Sequence, residues 1–175
     1  MLTKARTREQ YMVGLAEVVV TQDPDVTLCT QPLGACLGIA IYDPVAKVGG
    51  VLHSLLPDSK LDPVRAAGRP GMFLDTGLAD LLGRAEALGA TKENLRVFTA
   101  GGAQILDETA SFNVGKRNYE VLHQLLEQQG LNLHAQDVGG FTNRTMQLNL
   151  ETGEVRLKFS GQIKLKLLCP KSPTI

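Results

Sequence analysis

Cys36 and His53 are the pair in this sequence whose residue types and spacing suit covalent chemistry. A thiolate attacks an electrophilic carbon, and a neighbouring imidazole first takes the thiol proton and later protonates a departing amine. Thr30 stands six residues before the cysteine, at the end of the short run Val26 to Thr30. Its hydroxyl or carbonyl is suited to holding the imidazole in the useful tautomer. Gly34-Ala35 precedes the cysteine. A glycine there allows a tight turn and close approach by another molecule, which is how a reactive thiol is presented.

Two elements must bring these groups together. Leu37, Ile39 and Ile41 alternate with Gly38, Ala40 and Tyr42, a period of two that predicts a strand closed by Asp43-Pro44. Val48 to Leu56 predicts a second strand returning after a short connection. In such a hairpin a residue near the start of the first strand lies beside one near the end of the second, and Cys36 and His53 are placed that way. Taken singly, each residue has a plainer meaning: a small buried hydrophobe for Cys36, a satisfied core histidine for His53, and a common strand residue for Thr30. The combination outweighs these.

The full pattern is Thr30, then Cys36 in a Leu-Gly-small-Cys turn, then His53 seventeen residues on, preceded by Gly49-Gly50 and followed by Leu56-Pro57. This resembles the chemoreceptor glutamine deamidases called CheD. Further resemblance comes from Gly101-Gly102-Ala103, Val114-Gly115-Lys116-Arg117-Asn118, Asp137-Val138-Gly139-Gly140 with Arg144, and Thr152-Gly153-Glu154-Val155, which follow in the family's order. Ala35 stands where that family usually has serine, and Asn143 where it usually has glycine. The resemblance implies a Thr/Cys/His catalytic group and an α+β fold: a mixed β-sandwich flanked by helices, similar to the catalytic domains of deamidating toxins. It implies hydrolysis of glutamine side chains on chemoreceptor cytoplasmic helices, releasing ammonia without a metal or organic cofactor. Glutamyl methyl-ester hydrolysis is a related reaction through the same kind of intermediate. It also implies a partner, the CheC-type phosphatase of CheY. The alternative is a binding module that engages receptor or phosphatase without turnover. A redox role lacks a resolving cysteine within sequence reach.

Composition narrows the partners. Lys+Arg and Asp+Glu are 18 each, so no net charge points to nucleic acid or to an anionic membrane surface. Met1 to Gln10 is polar and basic where a secretory leader needs an apolar run, and no window approaches the ~20 apolar residues of a membrane span. Three cysteines with no Cys-x-x-Cys argue for reduced thiols in the cytoplasm, against both a disulfide framework and a zinc set.

Along the chain, residues 1–10 read as a loose arm, 11–168 as a single domain and 169–175 as a tail. Tyr11 to Thr21 predicts one strand, and Asp58 to Gly71, rich in Pro, Gly and charge, a loop able to cover the site. Met72 to Leu88 predicts an amphipathic helix, and Asn113 caps a second over Val114 to Gln129. Strands follow at Leu95 to Phe98, Leu131 to Val138, a hairpin from Thr145 to Leu150 and Val155 to Phe159, and Lys164 to Leu168. Strands so often adjacent in sequence favour α+β over repeated βαβ units. Cys29 alternates to the face opposite Thr30 and reads as packing; His123 and His134 lack acidic or cysteine neighbours and read as structural or surface residues. The two Gly-Gly pairs lack the surroundings of a phosphate loop and read as turns.

Overall fold

In the computed structural model, which describes residues 8–105 and 113–168, ten strands and three α-helices form among the described residues. The strands are β1 Glu9–Val13, β2 Val18–Thr21, β3 Val26–Thr30, β4 Leu37–Asp43, β5 Val48–Ser54, β6 Arg96–Gly101, β7 Leu133–Val138, β8 Arg144–Asn149, β9 Val155–Phe159 and β10 Lys166–Leu167. The helices are α1 Pro63–Gly68, α2 Leu74–Ala87 and α3 Val114–Gln128. Strand order is β1-β3-β8-β9-β10 in one sheet and β2-β5-β4-β6-β7 in the other. Each sheet is mixed: β1 with β3 and β6 with β7 run parallel, and the remaining pairs are antiparallel.

Every residue of β4 and β5 is buried, because both faces of their sheet are covered. One face carries Leu37, Ile39, Ile41 and Leu52, which pack on Leu74, Leu78 and Leu81 of α2 and Leu122 and Leu126 of α3. The other carries Ala40, Tyr42 and Val51, which meet Leu28 of β3 and Met146 and Leu148 of β8 across the gap between the sheets. Period-two alternation in the strands and period-3.6 alternation in the helices thus sort the apolar residues into two cores. The result is an α+β protein, a mixed β-sandwich with helices on the outside of one sheet.

The run Tyr11 to Thr21 is two strands in different sheets, not one. Gly14 to Glu17 carries the chain across, with Ala16 at φ 59° and the Glu17 carboxylate accepting from the Gly14 N–H and the Tyr11 hydroxyl. Glu9 and Gln10, read as part of an arm, instead pair with Val26 and Thr27. An edge strand needs backbone partners more than apolar side chains, so composition hid it. Residues 1–7 and the tail 169–175 lie outside the described residues.

Residues 58–71 are not an open loop. Asp58 and Asp62 accept from the N–H groups of Lys60 and Arg65, capping a 3₁₀ turn and α1, and Pro63 and Pro70 open helical turns. Asp and Pro at these positions are start signals for short helices. The segment is tied down at both ends, with Ser59 bonded to Asp75 and the Leu55 and Leu56 N–H groups bonded to the Met72 carbonyl.

Candidate active site

The hairpin register places Gly38 opposite His53 and Leu37 opposite Ser54. A side chain on Gly38 would meet Leu33 and Met146, so that position faces the space between the sheets. Cys36 lies in the bend one residue before β4, two residues before Gly38. His53 shares its face with Val51, and Thr30 shares its face with Leu28, both in the core between the sheets. Thr30 and His53 therefore face the core between the sheets, near the ends of β3 and β5, and Cys36 stands in the bend just before β4 begins. Thr30 and His53 are fully buried, whereas Cys36 is partly exposed and stands towards solvent.

Four carbonyls anchor the turn that carries the thiol. Those of Leu33, Gly34 and Cys36 accept from the N–H groups of Arg144, Ala103 and Gly102, at 3.2, 2.8 and 2.8 Å. The Ala35 carbonyl accepts from Asn118 Nδ2 at 3.2 Å. Gly101 has φ +113° and packs against the Cys36 carbonyl so closely that a β-carbon would overlap it. Gly115, in the first turn of α3, touches the Gly102 backbone in the same way. The Gly-Gly-Ala and Val-Gly-Lys-Arg-Asn motifs thus meet behind the cysteine, and each needs glycine for close backbone approach.

Sequence reasoning assigned no role to two side chains that hold this turn. Asn118 is fully buried; its Nδ2 reaches both Ala35 and the Leu55 carbonyl, the latter at 2.9 Å, while its Oδ1 has no hydrogen-bond partner. Leaving a buried acceptor unpaired costs about 1–3 kcal/mol. Arg144, only 4% exposed, bonds through its guanidinium to the Asp137 carboxylate and to the carbonyls of Asp137, Gly139 and Thr142, and lies over the Phe159 ring. Its backbone exchanges both hydrogen bonds with Leu33. The available signal was spacing: Gly115 and Asn118 are three apart on a helix and share a face.

The expected hydrogen bonds to the imidazole are not formed. Both ring nitrogens of His53 are sealed without a partner. The Thr30 hydroxyl oxygen instead accepts from the Met146 N–H at 3.0 Å, joining β3 to β8. Burial lowers the His53 pKa; the nearby Val13 carbonyl, short of hydrogen-bond geometry, opposes this in part. Burial likewise pushes the Cys36 thiol up, against a smaller stabilisation of the thiolate by the residue's own N–H. The resting pair is a neutral thiol and a neutral imidazole. Catalytic hydrogen bonds are often long before substrate binds, so this spacing does not disqualify the pair.

A cavity of about 490 Å³ opens beside the turn, walled by Gly102, Gln104, Lys116, Tyr119, Gln136 and Phe141 among others. It shares Gly102 with the support of Cys36, but neither Cys36 nor His53 lines it. Cys29 is buried on its strand, His123 stacks edge-on against Tyr119, and His134 does so against Phe98. Among the described residues, no three His, Cys, Asp or Glu side chains are grouped to hold a metal ion, and no helix is long and apolar enough to cross a membrane.

A family profile described as CheD chemotactic sensory transduction matches residues 55–159, more than half of the chain. The chain belongs to the CheD family. A relative from Solibacter usitatus, named "Probable chemoreceptor glutamine deamidase CheD", is 42% identical over 94% of this chain and 96% of its own length. One of the same name from Pyrococcus horikoshii is 39% identical over 86% of this chain and 92% of its own. Among solved structures, the hypothetical protein YfiH of Bacillus licheniformis shares 15% identity over 70% of this chain and 49% of its own, with a TM-score of 0.38. The CheD match takes in both glycine motifs, Asn118 and Arg144. Thr30, Cys36 and His53 precede it, within the span that the Solibacter alignment covers.

Proposed function

We propose that this chain is a thiol-dependent amidohydrolase that converts glutamine side chains of chemoreceptors to glutamate. Membership of the CheD family and the names of its relatives support the reaction. One observation supports the choice of thiol: Cys36 is partly exposed, where Cys29 is buried, with all four carbonyls of its turn hydrogen-bonded.

Cys36 Sγ attacks the carboxamide carbon as His53 accepts the thiol proton. The C–N bond then breaks, and the imidazolium protonates the leaving nitrogen, giving ammonia and a thioester. Water, deprotonated by the same imidazole, attacks the thioester; the C–S bond breaks and the thiol recovers its proton. With the turn's carbonyls directed into the protein, its N–H groups between Gly34 and Leu37 serve as donors to the oxyanion. Thr30 acts through β8, fixing the wall beside the imidazole. No step requires a metal or an organic cofactor. A glutamyl methyl ester passes through the same tetrahedral species and is a second substrate class. This function puts the protein in the cytoplasm with the receptors' signalling helices, and a CheC-type phosphatase is the partner proposed to compete for the same surface.

The neutral, unbonded Cys36 and His53 favour a second reading, a module that binds receptor without turnover. Incubating the protein and a Cys36→Ala variant with receptor cytoplasmic domains separates the two. Glutamine-to-glutamate conversion by mass spectrometry, with ammonia released, is expected from the native chain alone. Equal conversion by the variant removes the thiol from the mechanism; receptor binding without conversion by either supports the module.

A further inference from the structure

We infer that Asn118 is a positioning residue that fixes the nucleophile's turn against the strand carrying His53. In the antiparallel register of β4 and β5, paired residue numbers sum to a constant, so continuing the ladder past Leu37 and Ser54 would set Cys36 opposite Leu55. The two chains instead part there. The Cys36 carbonyl turns to Gly102, and the Leu55 N–H turns to Met72. The Asn118 carboxamide stands in the gap, its one NH₂ group donating to Ala35 on one side and Leu55 on the other. It thereby sets the distance between the residue before the thiol and the residue two beyond the imidazole.

A core side chain kept for packing alone would not look like this. Asn118 Oδ1 is sealed with nothing to accept from, and a leucine of similar size would remove that unfavourable term. The carboxamide donates to two carbonyls from one nitrogen, one on each of the two segments. Gly115, one turn earlier, lets α3 lie close enough for the amide to reach.

For its effect on turnover this inference rests on the proposed deamidation; for its effect on the thiol it does not. The test compares Asn118→Asp, which keeps the shape but sets acceptors against two carbonyls, with Asn118→Ala, which removes the donors. Three quantities are read: thermal midpoint, alkylation of Cys36 by iodoacetamide at several pH values with peptide-level mass spectrometry, and kcat and KM for receptor glutamine deamidation. In folded variants kcat falls by about 100-fold with KM little changed, since small misplacement of a reacting atom has that effect. In Asn118→Ala, alkylation becomes faster because a loosened turn exposes the half-buried sulfur. Cys29, buried on β3, is expected to keep its native alkylation rate, whereas a merely structural loosening would speed both thiols. If the native chain does not deamidate receptor, the alkylation arm alone decides: an altered profile in Asn118→Ala upholds the clamp while the proposed activity fails. A folded variant with native alkylation and native kcat overturns the inference. Asn118→Ser, which keeps one donor, is used if the first two do not fold. Failure of all three to fold also overturns it, since Asn118 is then required for the fold and not for placing the thiol.

Discussion

Burial raises the Cys36 thiol and lowers the His53 imidazolium, so both groups rest uncharged near neutral pH. A stored thiolate–imidazolium pair would react with iodoacetamide at a rate already on its plateau at pH 7. Here the alkylation rate of Cys36 is expected to keep climbing above the ordinary thiol value of about 8.5. His53→Ala should leave that rate at pH 7 nearly unchanged while lowering deamidation by roughly 10²- to 10⁴-fold, because the base is needed only when substrate is bound. A plateau below pH 7 that collapses in His53→Ala would show the pair to be charged at rest. Thr30 is a different matter, since its oxygen is bound to the Met146 N–H. Thr30→Val leaves a buried N–H unpaired and should lower stability by about 1–3 kcal/mol, with Thr30→Ser close to native in a urea titration. At this scale Thr30, Cys36 and His53 could be picked out as candidates because their spacing is local. Asn118 was not, because it acts on Ala35, which is 83 residues away in sequence and meets it only in the fold.

Among the elements, α3 and the turn after β6 form a brace for the turn that carries Cys36. The contact between them is backbone on backbone at Gly115 and Gly102, and the Gly102 N–H in turn holds the Cys36 carbonyl at 2.8 Å. A methyl group at Gly115 would overlap the Gly102 backbone, so one of the two chains must shift. Gly115→Ala is therefore expected to displace α3 or the turn, to cost about 1–3 kcal/mol by overpacking, and to lower deamidation out of proportion to the loss of stability. Activity measured well below the variant's melting midpoint checks this; native kcat would mean that the turn is held without the helix. Helices α2 and α3 and the hairpin of β4 and β5 were legible because one periodicity runs through each. The division of residues 11–21 between two sheets was not, since apolar residues on either side of the crossing at Gly14 to Glu17 merge into one apparent strand. Residues 58–71 misled in the other direction, because Asp and Pro mark both loops and the starts of short helices.

For the whole molecule, the closed end of the sandwich ties stability to proton uptake at the site. His53 is fully buried and its ring nitrogens lack partners, so a proton arriving there in the folded state loses water, a cost that the nearby Val13 carbonyl offsets only in part. Its folded pKa lies below the unfolded value, near 6.5, so the unfolded chain binds more protons as pH falls through that value. Stability therefore rises with pH up to about 6.5 and is lost below it. Asp43 acts in a lower window. Burial disfavours its charge, but the N–H groups of Ala46, Thr91 and Val45, with the Asn94 side chain, outweigh burial and hold the carboxyl below its usual range. Its contribution is present above the ordinary carboxylate value of about 3.9 and is lost as pH falls through the folded value. Urea midpoints measured from pH 8 downward should thus fall in two stages, the first beginning near pH 6.5. His53→Gln, which cannot titrate, should flatten the first stage and spare the second. His134→Gln is the control: that residue's pKa is also lowered by burial and by Arg96, but it lies exposed on β7, where solvent weakens the effect. An unchanged first stage in His53→Gln, with its removal in His134→Gln, would shift the acid sensitivity from the site to the far edge of the sheet.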